Sequence, residues 1–87
     1  MEMTEHEVLA GFAAIVEEFT GVSASNVTPE ANLVDELEID SLSMVEIIAA
    51  VQDEFGVEIP DEHLRDLKSA RDVVDYVRQR RRSDVPG

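Results

Sequence analysis

The sequence contains no cysteine. Neither a disulfide nor a thiolate metal site can therefore hold the fold, and an intracellular chain is the simplest reading. No apolar run approaches the roughly 20 residues of a membrane span. The N-terminal stretch MEMTEHEV is acidic where a signal peptide would be basic, so the chain is expected in the cytoplasm. Positive charge is missing from most of the chain. Residues 1–64 hold 16 carboxylates and no lysine or arginine, whereas residues 65–87 hold 7 cations and 4 carboxylates. With a net charge of -13, nucleic acid is excluded as a partner, and self-repulsion favours a monomer. A field of this sign steers basic partners toward the surface, although solvated acidic faces also serve solubility alone.

What remains is an 87-residue chain with 44% hydrophobic content, enough for one small core. Thr4 followed by Glu7 is a capping box. Val8, Phe12, Ile15, Val16 and Phe19 then recur at helical spacing, with Leu9 and Ala13 widening the stripe. The pattern predicts a first helix over residues 5–20, stopped by Gly21. Residues 22–40 are rich in Ser, Asn, Thr and Asp and show no sustained period, so a long ordered loop is expected there. Val22, Val27, Leu33, Val34, Leu37 and Ile39 are its expected anchors. Asp40 suits an N-cap, and the next fifteen residues run without glycine or proline to Gly56, predicting a second helix. Pro60 and Asp61 open a short helical turn through about residue 66. Ser69 and Asp72 then cap a last helix that repeats Ala70, Val73, Val74 and Val77. No stretch reads as a strand. The expected fold is all-α, a small four-helix bundle of three longer helices and one short one, with the long loop between the first two. Residues 1–77 form its domain. Residues 78–87, RQRRRSDVPG, make a basic tail that is expected to be flexible and to fray from its end.

The second helix has two unlike faces. At about 100° per residue, Met44, Ile47, Ile48, Val51 and Phe55 share an arc of roughly 100° that suits a core. Leu42, Val45, Glu46, Ala49 and Asp53 group on the opposite side. Apolar groups interleaved with carboxylates fit a docking surface, the former for affinity and the latter for orientation.

Ser41 stands at the start of this helix, where unpaired N–H groups and the helix dipole favour a negative group such as a phosphate ester. Asp40 and Ser41 also suit an ordinary helix start. Serine catalysis is a poor reading, because no G-x-S-x-G elbow surrounds Ser41 and the chain has only His6 and His63. A calcium loop counted from Asp35 places Asp40 where the sixth-position glycine is required. No specific metal site is expected, and both histidines read as exposed helix residues.

From Leu33 to Asp61 the residues carry a longer pattern: VDEL, then IDSLSMVEI, then DEFGVEIPDE, with DVVDYV further on. In this pattern the sequence resembles the acyl carrier proteins, discrete carriers of type II fatty acid and polyketide synthesis, and most of all the carriers of actinobacterial fatty acid synthesis. The resemblance implies a carrier rather than an enzyme. Ser41 would be the attachment point for 4'-phosphopantetheine, delivered from coenzyme A by a magnesium-dependent phosphopantetheinyl transferase, with Asp40 and Leu42 beside the arm. The arm's thiol would hold acyl groups as thioesters. Leu42, Val45, Glu46, Ala49 and Asp53 correspond to the family's recognition surface, which meets basic patches on synthesis enzymes. Met44, Ile47, Ile48, Phe55, Val73 and Val74 are candidates for lining the acyl chain, with plain core packing as the alternative. Glu38 stands where many members have glycine, and Ser43 and Gln52 stand where many have acids, so some enzyme contacts are expected to differ. A polyketide or other specialised carrier, and a noncovalent acidic interaction module, are the remaining alternatives.

Overall fold

Two reciprocal hydrogen bonds start the first helix. The Glu7 N–H donates to Thr4 Oγ1 at 3.1 Å, and the Thr4 N–H donates to the Glu7 carboxylate at 3.0 Å, forming the expected capping box. The structure, a computed structural model, describes residues 4–83. Helix α1 (Glu5–Thr20) ends at Gly21, whose φ of 80° is left-handed and whose N–H donates to the Glu17 carbonyl at 2.9 Å. Val8, Phe12, Ala13, Ile15 and Val16 are buried along one face, and Leu9 packs beside them. Phe19 departs from the expected stripe and is 42% exposed. It lies in the last turn, and Val22 just beyond the turn packs against the core instead.

Helix α2 (Ser41–Phe55) starts at Asp40 and ends at Gly56, which has a φ of 66°. The following turn is closed by Gln52. Its carbonyl accepts the Val57 N–H at 3.2 Å, and its side-chain oxygen accepts the Ile59 N–H at 2.7 Å. The expected short helix is a 3-10 helix (Asp61–Asp66), and it leads into helix α3 (Ala70–Ser83). At the start of α3 the Asp72 carboxylate accepts the Ser69 N–H at 3.1 Å, while Ser69 Oγ accepts the Asp72 N–H at 3.3 Å. Helix α3 continues beyond Val77 into the basic segment; of the expected tail, residues 84–87 lie outside the described residues.

The long loop behaves as a structural element. It contains a 3-10 turn (Ala24–Asn26) that the sequence pattern did not suggest, since three residues are too few to show a period. Val27, Leu33, Leu37 and Ile39 are buried as anchors. Val34 is not an anchor and is 61% exposed. The Asn32 side-chain oxygen accepts both the Val34 and Asp35 N–H groups, at 3.0 and 2.8 Å, and this turn sends Leu33 inward and Val34 outward. The loop is also stitched to the start of α3. Leu33 donates to the Lys68 carbonyl at 2.9 Å, Ala70 to Ala31 at 3.0 Å and Arg71 to Pro29 at 2.9 Å. An isolated antiparallel bridge joins Asn32 and Ser69, with no strand among the described residues.

Helix α1 packs against both α2 and α3, and one continuous apolar core joins the three helices and the loop anchors. Among the described residues no polar or charged side chain is buried in it. The Phe55 ring lies directly over Gly11, where an added Cβ would stand 2.7 Å from the ring. Only glycine there lets the last turn of α2 settle this closely on α1.

Candidate functional site

The end of the long loop fixes the start of α2. Ile39 is buried and donates to the Leu33 carbonyl at 3.0 Å, which presents Asp40 at the surface in extended geometry, with φ -81° and ψ 175°. The Asp40 carboxylate then accepts the Ser43 N–H at 2.7 Å, and its carbonyl accepts the Met44 N–H at 2.8 Å. This is an N-cap of the ordinary kind. The hydrogen bond from the Ser43 backbone, followed by that from its side chain, holds the Asp40 carboxyl below the usual aspartate value.

Ser41 is the first helical residue, is exposed, and forms no side-chain hydrogen bond among the described residues. Neither histidine is bonded to it: His63 stands 3.8 Å from Glu62 and edge-on to Tyr76, with 5.5 Å between ring centroids, while His6 is exposed on α1. A hydroxyl in this setting lacks a base but is fully accessible. The first turn of α2 also contains no acid, whereas the first turn of α1 contains Glu5 and Glu7. Beyond the Asp40 cap the positive end of the α2 dipole carries no acid, and the residues present fit a phosphate ester on Ser41.

The two faces of α2 fall where its periodicity places them. Leu42 and Val45 are 71% and 55% exposed, and Glu46, Ala49 and Asp53 are exposed with them. Ile47, Ile48, Val51 and Phe55 are buried, and Met44 is half-buried at the edge of the core. Val73 and Val74 are buried on α3 in the same core. Of the unusual positions, Gln52 has a role within the fold through its bond to Ile59, and Ser43 supplies the donor that Asp40 accepts.

Two features escaped sequence reasoning. Glu38 has a φ of 53°, the single positive value among described residues other than glycine. The available signal was the glycine that many members of the resembled family have at this position. A groove of about 350 Å³ also runs between α1 and the first 3-10 turn, lined by His6, Leu9, Ala10, Ala13, Ala24, Ser25 and Val27. It depends on how the loop docks, which no local pattern specifies.

Residues 10–77 match the family described as phosphopantetheine attachment site. The acyl carrier protein of Thermobifida fusca is 56% identical over 79 residues, covering 91% of this chain and 100% of that protein. The meromycolate extension acyl carrier protein of Mycobacterium leprae is 51% identical over 79 residues, covering 91% of this chain and 69% of that one. Among solved structures, the acyl carrier protein from Enterococcus faecalis superposes with a TM-score of 0.74 at 36% identity, covering 90% of this chain and 99% of that chain. The chain belongs to the acyl carrier proteins, whose attachment domain takes 4'-phosphopantetheine covalently. Among the described residues no helix is long and apolar enough to cross a membrane, and no group of three or more His, Asp or Glu side chains is placed to hold a metal.

Proposed function

We propose that Ser41 carries the 4'-phosphopantetheine arm and that the protein presents acyl intermediates to type II fatty acid synthase enzymes in the cytoplasm. The observation that supports this most is the exposed, unengaged Ser41 hydroxyl in the acid-free first turn of α2. When bound, the arm supplies the thiol that the cysteine-free chain lacks, holding the acyl group as a thioester. Asp40 orders the first turn, and Leu42 lies beside the attachment point. Leu42 and Val45 offer apolar contact to a partner, Glu46 and Asp53 orient its basic groups, and Ala49 leaves room between them. The same face serves the phosphopantetheinyl transferase and the later enzymes. Met44, Ile47, Ile48, Phe55, Val73 and Val74 line the path of the acyl chain. All but Met44 are packed in the core, so an entering chain must displace packed side chains, beginning at the half-buried Met44.

A second reading, a carrier for a specialised extension pathway, is favoured by the 51% identity to a protein named for meromycolate extension. Comparing acyl transfer from the loaded protein to fatty acid synthesis enzymes and to enzymes of a specialised pathway separates the two.

The attachment is tested by intact mass before and after incubation with coenzyme A, magnesium and a broad-specificity transferase. The parent gains one phosphopantetheine, and Ser41→Ala gains none while keeping the parent's circular dichroism. Loading of the alanine variant would refute the assignment.

A further inference from the structure

Between the buried residues Leu37 and Ile39 the chain turns at Glu38. Hydrogen bonds on either side, from the Leu37 N–H to Asn32 and from the Ile39 N–H to Leu33, both 3.0 Å, hold that turn. The resulting φ of 53° is one that glycine adopts freely and that crowds the Cβ of any L residue. A glutamate is nonetheless present. Its carboxylate is exposed and forms no hydrogen bond or ion pair with any described residue, and Asp40 already caps the helix that follows. A charged side chain held in a disfavoured conformation without an internal partner points to a use outside the fold.

We propose that Glu38 is a partner-recognition residue for the loading reaction, pairing with a basic side chain of the phosphopantetheinyl transferase. This rests on the assignment of Ser41 as the attachment point. In loading, the Ser41 oxygen bonds to the phosphorus bearing the pantetheine half of coenzyme A. The pyrophosphate P–O bond breaks, the adenosine bisphosphate half leaves, and the hydroxyl proton passes to a base on the enzyme. An enzyme that binds this multiply charged donor places cations around the transfer point. Glu38 lies three residues before Ser41, and Glu46 lies five residues after it on the exposed side of α2. Negative charge therefore flanks the nucleophile on both sides, and Glu38 meets the part of the enzyme surface that α2 cannot reach.

The test compares kcat/KM for loading of the parent, Glu38→Gln and Glu38→Gly at low and high salt, with intact mass and thermal melting in parallel. The glutamine variant keeps the backbone and removes the charge. We expect it to load about threefold to fivefold more slowly at low salt, mostly through KM, with the difference closing at high salt. The glycine variant loses the same rate although its backbone strain is relieved and its melting temperature rises. If Glu38 instead serves only the dipole of α2, the glutamine variant melts earlier but loads like the parent at low salt, and that result overturns the proposal. A parent that gains no mass overturns the Ser41 assignment, and this proposal with it.

Discussion

Helices α1 and α2 are nearly equal in length, each buries one apolar face, and each ends at a left-handed glycine, yet their first turns are built in opposite ways. Helix α1 closes its N-terminus on itself: Thr4 and Glu7 satisfy each other's backbone donors, and Glu5 and Glu7 place negative charge at the positive end of the dipole. Helix α2 has Asp40 as its cap and then Ser41 with a free hydroxyl, an exposed Leu42 and no acid in the turn. One helix start is optimised for stability, and the other leaves an anion site and an apolar contact open. The difference shows that a helix N-terminus acquires a function through what its first turn omits as much as through the serine it carries.

Giving α2 the first turn of α1 tests this contrast most severely. Leu42→Glu places an acid in the first turn at an exposed position. It should stabilise the helix by about 0.3–1 kcal/mol through the dipole while slowing loading of Ser41 about tenfold, the equivalent of ~1.4 kcal/mol of repulsion toward the incoming phosphate. Melting temperature and loading rate are measured together, and a variant that is stabilised and still loads normally would break the comparison. Glu46→Lys combined with Asp53→Lys leaves the first turn intact and should slow loading about fivefold at low salt and less at high salt, because steering is screened. Salt-independent slowing would mean that these side chains act otherwise than by charge.

The two caps give the smallest effects. Thr4→Ala should cost about 1 kcal/mol in denaturant unfolding, and Asp40→Ala should also destabilise, but only Asp40→Ala should slow loading. The cost of Asp40→Ala should also depend on pH. Hydrogen bonds from Ser43 lower the folded-state pKa of Asp40, so its contribution is complete above the ordinary aspartate value and is lost as the pH falls through the lowered folded value. Glu7, lowered by its bond with Thr4, follows the same sign in α1. Melts of parent and Asp40→Ala should therefore converge on acidification, and a gap that stays constant at acid pH would show that the cap does not work through its charge.

Much of the fold could be read along the chain, because caps, glycine stops and helical periods are local. Thr4 with Glu7, Asp40 before Ser41, Ser69 with Asp72, and Gly21 and Gly56 all mark the helix limits they were expected to mark. The division of α2 into an inner and an outer face likewise follows from a 3.6-residue repeat. Phe19 and Val34 lie outside the core although their spacing suggested otherwise, since α1 is ending at the first and Asn32 turns the chain outward at the second. The groove beside α1, the seat of Phe55 on Gly11 and the left-handed Glu38 were hidden because no local pattern specifies them.

By itself the sequence determined where each helix starts and stops, which face of α2 is apolar, and that a serine opens that helix, because these depend on neighbours within about one helical turn. Only the tertiary structure decided that the long loop is stitched to α3, that Glu38 takes a left-handed turn between the buried residues Leu37 and Ile39, and that Ser41 emerges exposed and unbonded. Those outcomes depend on contacts between residues distant in the chain, whose hydrogen bonds and close packing exist only once the helices have met.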